Sequence, residues 1–266
     1  YQNNLDSLTN AQIDLATTFN DTFNTLSNTY LDMPTVITGT QNIIQGFDLS
    51  PANSQQNVDV ISDFFNNDDA SKEKIAVFAS SSRNDYALAR TKYDASFLAY
   101  KQISRSSAPS DTENFLNQSI DTTTAIAQAL QSELNLLGSA IDIAQLLNRK
   151  LPLGVATLQS NARAYLSTTN AYLSNLLAQK KSITSNKQSV TTYQQNILLL
   201  KVGNTDGSNP ISLQIEKNNL EAQEQSLVQL RQKLSNYTVV APFDGVLSAV
   251  TAKKGDTASG AVASIV

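Results

Sequence analysis

From Leu158 onward the apolar residues of this chain recur in alternating steps of four and three. They fall at Leu158, Ala162, Tyr165, Thr169, Tyr172, Leu176, Gln179, Ile183, Asn186, Val190, Tyr193, Ile197 and Leu200. Ten of these thirteen positions are apolar or aromatic, and the phase holds without a break. A seam that repeats every 3.5 residues drifts around a straight helix and stays buried only against supercoiled partners. The pattern therefore demands long helices lying side by side, this one alone roughly 64 Å at 1.5 Å per residue. Gln179 and Asn186 read as polar register-setting positions within the seam.

Other segments obey the same rule. Leu116, Ile120, Thr123, Ala127, Leu130, Leu134, Leu137, Ile141 and Ala144 form a second stripe. Ile75, Phe78, Tyr86, Ala89, Tyr93, Phe97, Tyr100 and Ile103 form a looser aromatic one. The first helix gives Leu5, Leu8, Gln12, Leu15 and Phe19, then a one-residue stutter to Phe23, Leu26, Tyr30 and Met33. Beyond Pro210, leucines stand at sevens at 213, 220, 227 and 234. Breaks fall at Gly46 to Asn53, Ser106 to Ser110, Arg149 to Gly154 and Gly203 to Pro210, where glycine, proline and short polar residues cluster. Pro34 is expected to kink or end the first helix. Ser110 and Glu113 have the spacing of a capping box. Short connections make neighbours antiparallel. The fold class expected is mainly α, an elongated antiparallel coiled-coil bundle over residues 1–235 followed by a small β segment over 236–266.

Composition narrows the chemistry. The chain has no cysteine, histidine or tryptophan. Disulfides, thiolate or imidazole metal sites, and cysteine- or histidine-based nucleophilic catalysis are excluded. About 100 of the 266 residues are Asn, Gln, Ser or Thr, while charged residues make up only 16%. With a net charge of −4 and no basic block, phosphate-driven nucleic-acid binding is not expected. The acids Asp59, Asp63, Asp68 and Asp69 lack the alternating spacing and fixed glycine of a calcium loop and read as helix-end charges. No enzyme activity, cofactor or metal is expected.

The grammar changes at Asn236. Tyr237-Thr238-Val239-Val240-Ala241 is β-rich and ends at Pro242; Phe243-Asp244-Gly245 supplies a tight turn, and Gly255-Asp256 and Gly260 mark two further reversals before the apolar close Ala263–Val266. About 30 residues of short strands are too few to bury a core alone. Together with the start at Tyr1, this reads as a piece of a longer protein. The motif from Thr238 to Gly245 with Gly255, Asp256, Gly260 and Ile265 resembles the second half of the lipoyl-like domain of bacterial membrane fusion proteins, the periplasmic HlyD-like adaptors of efflux pumps and type I secretion systems. Residues 209–235 look like that family's returning hairpin helix. A true lipoyl carrier would present a lysine beside a methionine, and the single methionine here is Met33.

The resemblance implies an extracytoplasmic adaptor, anchored to the cytoplasmic membrane by parts outside this sequence. In that role it links an inner-membrane transporter to an outer-membrane channel protein within a homo-oligomeric, hexameric ring. Arg149, Leu153 and Ser160 stand at the R-x3-L-x6-S spacing that the family's hairpin tips use to meet the channel. Read as plain structure, Arg149 complements a helix C-terminus, Leu153 is a staple and Ser160 is simply exposed. The alternative function is an extracellular coiled-coil spacer or adhesive stalk.

Overall fold

The heptad stretch is a single helix, and three other long helices run beside it. The computed structural model describes the backbone of residues 2–202, 210–235, 247–250 and 263–265. The fold is mainly α: α1 (Gln2–Gln45), α2 (Asn57–Phe64), α3 (Asp69–Tyr100), α4 (Pro109–Leu146), α5 (Val155–Val202) and α6 (Pro210–Ser235). The chain divides into two compact units, Tyr1–Ile197 and Leu198–Val266.

In the first unit, direction follows from paired residues. Thr18 of α1 accepts a hydrogen bond from Asn186 at 2.7 Å, Thr22 donates to Gln179 at 3.2 Å, and Tyr172 donates to Asp32 at 3.0 Å. As one number rises the other falls, so α1 and α5 are antiparallel. Both polar seam residues of α5, Gln179 and Asn186, thus act in register, each bonded to a threonine of α1. α3 and α4 are likewise antiparallel: Ser132 donates to Asp85, and Thr122 to the Lys92 carbonyl. Arg105, in the α3–α4 turn, donates to Asn24 at 2.7 Å and lies over the Phe23 ring. The α3–α4 turn therefore lies beside the middle of α1, while Thr18 and Thr22 in its first half bond to α5. Four antiparallel helices build the core where all are present. Its end nearest the α3–α4 turn is aromatic, with Tyr30 stacked on Tyr100 at 5.0 Å and tilted against Phe115 at 5.1 Å.

Several local expectations are corrected. Pro34 lies inside α1, which continues to Gln45 because Met33, Val36 and Ile37 are buried on either side of it. Ser110 does not cap α4: Ala108 is the capping residue, Pro109 takes the first helical position, and Glu113 is drawn instead into an ion pair with Lys187 of α5. Gln12 is exposed while Ala11 is buried. On α4, Ile120, Ala127, Leu134 and Ile141 are only half-buried. Ser119, Ile126, Glu133 and Ala140 are the fully buried positions. The shared positions Leu116, Thr123, Leu130, Leu137 and Ala144 do sit in the core. α5 keeps its expected phase, with Leu158, Ala162, Thr169, Leu176, Ile183 and Ile197 buried.

In the second unit, Leu220, Leu227, Val228 and Leu230 of α6 are exposed. Strands β1 (Leu247–Val250) and β2 (Ala263–Ile265) pair antiparallel, Leu247 opposite Ile265 and Val250 opposite Ala263. Pro242, Phe243, Asp244, Gly245, Gly255, Asp256 and Gly260, which carry the lipoyl-like resemblance, lie outside the described residues. Among the described residues no helix is long and apolar enough to cross a membrane.

Candidate functional site

The α4–α5 turn is built by helix-end chemistry. α4 stops where Asn148 takes a left-handed conformation, φ 51°. Its N–H then bonds the Gln145 carbonyl at 3.0 Å, and the Arg149 N–H bonds the Ala144 carbonyl at 2.8 Å. This is the Schellman arrangement, with asparagine in the place glycine usually holds. Pro152 cannot continue a helix, and Gly154, φ 106°, swings the chain into α5. A Cβ at Gly154 would meet Leu49 at 3.2 Å, so the loop after α1 packs against this turn. That loop is held by Asn57, fully buried, whose side chain accepts from the Leu49 N–H at 2.9 Å and donates to the Asn42 carbonyl at 2.9 Å and to Asp48 at 3.1 Å.

The three residues expected to form a docking tip all fall on or just after this turn, and the structure treats them differently. Leu153 is 96% exposed. Ser160, on the first turns of α5, is exposed as well. Arg149 is half-buried, its guanidinium 4.1 Å from the centroid of the Phe64 ring. Phe64 in turn meets fully buried Phe65 edge-on at 5.0 Å. Arg149 thus ties the turn to α2 through a cation–π contact. It also adds a smaller electrostatic pull to Asp68, whose carboxyl is held below its ordinary range chiefly by hydrogen bonds from Ser71.

Sequence reasoning missed Leu146, the last residue of α4, 85% exposed, and Phe47, 47% exposed in the packed loop. The signal for Leu146 was its place beyond the last seam residue, Ala144, where an apolar side chain has no partner helix. A groove of about 770 Å³ opens beside the turn between the end of α1 and the start of α5; its polar wall includes Gln41, Asn42, Gln45, Asp48 and Asn161, with one acid and no base. The wall thus offers neutral amides and apolar contact rather than charge. The acidic group identified in the sequence is used structurally: Asp68 caps α3 through the Ser71 N–H at 3.0 Å, and Asp59 pairs with Arg83. Among the described residues no group of acids could hold a metal ion.

Comparison with known proteins adds no relative: no family model, curated protein or solved structure matches the chain.

Proposed function

We propose that this chain is the helical part of an extracytoplasmic adaptor subunit of an export system, with the α4–α5 turn as its channel-facing tip. In this reading the coiled-coil helices form a stiff hairpin, and residues 236–266 complete a lipoyl-like domain with sequence that precedes Tyr1. The inner-membrane transporter is engaged by parts outside this sequence, and full-length subunits form a ring. The observation that carries the reading is Leu153, 96% exposed at a turn braced by the Asn148 and Arg149 backbone bonds, the Leu49 packing and the Arg149–Phe64 contact. A large apolar side chain left in solvent gains free energy when a partner covers it. About 25 cal/mol per Å² of apolar surface is available to such a contact. The amide-rich helix exteriors suit sideways packing at modest affinity per contact.

The test is Leu153→Ala in the intact protein, read as export in cells or as binding to the channel partner. The proposal expects loss of either with helical content and melting temperature unchanged. Wild-type export from Leu153→Ala, Arg149→Ala and Ser160→Ala together would return the tip to coincidence.

A further inference from the structure

Among the described residues, the interior of the first unit contains one acid and no base. Glu133 of α4 is fully buried, and neither of its carboxylate oxygens has a hydrogen-bond partner. Ser82 of α3 is also fully buried with its hydroxyl unpartnered. It lies one turn before Tyr86 on the same helix face, and Tyr86 is the phenol that feels the Glu133 charge. The neighbouring pair Ser132 and Asp85 is satisfied within itself.

A buried ionised carboxylate is tolerated only beside a cation or several donors. Glu133 has neither. On α3 the titratable side chains turned inward are Tyr86 and Tyr93; Arg90 pairs with Asp94 and hydrogen-bonds Tyr86, and it makes no bond to Glu133. On α1 the inward titratable group is Tyr30, which accepts from Ser119. Among the described residues of α5, no buried one is an acid or base. A protonated carboxyl, by contrast, carries an O–H that can serve a nearby carbonyl or hydroxyl, and its charge is gone.

We propose that Glu133 is a proton-operated latch: with its carboxyl protonated, α4 packs closely against α3, and on ionisation the α3–α4 hairpin loosens. Burial pushes the Glu133 carboxyl well above its ordinary range. The sign follows from linkage. Below the ordinary carboxylate range both folded and unfolded chains hold the proton, and the site adds no pH dependence. Above it the unfolded chain ionises while the folded chain does not, so the folding constant falls with rising pH by up to about tenfold per unit. The decline ends once the folded carboxyl itself ionises. The latch is separate from the α4–α5 turn and does not depend on what that turn binds.

The experiment is denaturant unfolding of the full chain from pH 4 to pH 9, wild type against Glu133→Gln, with amide exchange followed at both pH limits. The wild type should lose stability steadily above about pH 5, where an ordinary carboxyl ionises, and Glu133→Gln should remove that loss. Exchange should quicken over residues 69–146 and stay unchanged at Ala11 and Leu15 of α1 and Asn186 of α5. Equal pH slopes in the two proteins would overturn the proposal, as would exchange that quickens equally in both regions. If Glu133→Gln does not fold, the protonated-carboxyl infrared band of wild type at neutral pH decides: its presence supports the latch, and its absence in the folded protein overturns it.

Discussion

Gly39 offers a perturbation whose sign depends on the packing of α1 against α5. A methyl group there would lie 2.3 Å from Cε2 and Cζ of Tyr165 and 2.7 Å from its hydroxyl oxygen. Carbon atoms in good contact stand about 3.5–4.0 Å apart, so the ring must retreat by more than an ångström. Tyr165 is partly buried against the core and borders the groove, so its ring can retreat only by giving up its core contact. Overpacking of this kind costs about 1–3 kcal/mol. Set against it is the gain of about 0.8–1.0 kcal/mol from replacing glycine by alanine inside a helix. The expected net effect of Gly39→Ala is a destabilisation of about 1 kcal/mol. Gly138 of α4 is the control, since its Cβ would meet nothing nearer than Gln159 Nε2 at 3.9 Å. Gly138→Ala should stabilise by up to about 1 kcal/mol. Removing the obstacle completes the cycle: in a Tyr165→Ala background, Gly39→Ala should become stabilising. Urea unfolding midpoints of the four proteins and the control provide the assay. A Gly39→Ala protein that gains stability as Gly138→Ala does, with Tyr165 intact, would refute the close approach of α1 and α5.

Three further outcomes follow from the same structure. Leu176→Asp and Ile183→Asp, at positions 0% and 3% exposed, should each cost several kcal/mol. Leu177→Asp, one residue off the seam and 46% exposed, should stay within about 0.5 kcal/mol in the same melts. Arg149→Ala should lower stability by about 0.5–1 kcal/mol through the lost contact with Phe64, while Leu153→Ala leaves the melting curve unchanged. The Tyr172 phenol, pushed up to about 12 by desolvation and then by Asp32, should be the last of the described tyrosines to ionise in an ultraviolet titration. Because the folded state resists that ionisation, stability should fall as pH rises above 10, and Tyr172→Phe should lessen the fall.

How much of this was legible in the sequence depended on whether a position was chosen for apolarity or for fit. The α5 seam was readable because its few polar members, Thr169, Gln179 and Asn186, interrupt a long apolar series without obscuring its phase. α4 misled for the opposite reason. Its true alternate positions include Ser119 and Glu133, whereas the neighbouring phase offers Ile120 and Leu134, so apolarity alone selects the wrong side of the helix. In α1 the close approach to α5 is made by Thr18, Thr22 and Gly39, small residues that carry little hydrophobic signal. A glycine within a helical pattern was itself the available clue. The proline at 34 was overridden by tertiary packing, which local rules do not contain. At the candidate site the turn and its exposed Leu153 were legible from Pro152 and Gly154. The restraint on Arg149 was not, because its partner Phe64 is far away in sequence and is brought near by α2, a helix of eight residues.

The most direct test of the adaptor reading is site-specific photo-crosslinking from position 153 in cells producing the full-length protein, combined with identification of the proteins that co-purify with it. The account predicts an adduct between position 153 and an outer channel protein, together with recovery of an inner-membrane transporter subunit. Recovery of the full-length protein with neither component, as a free-standing surface stalk would give, contradicts it.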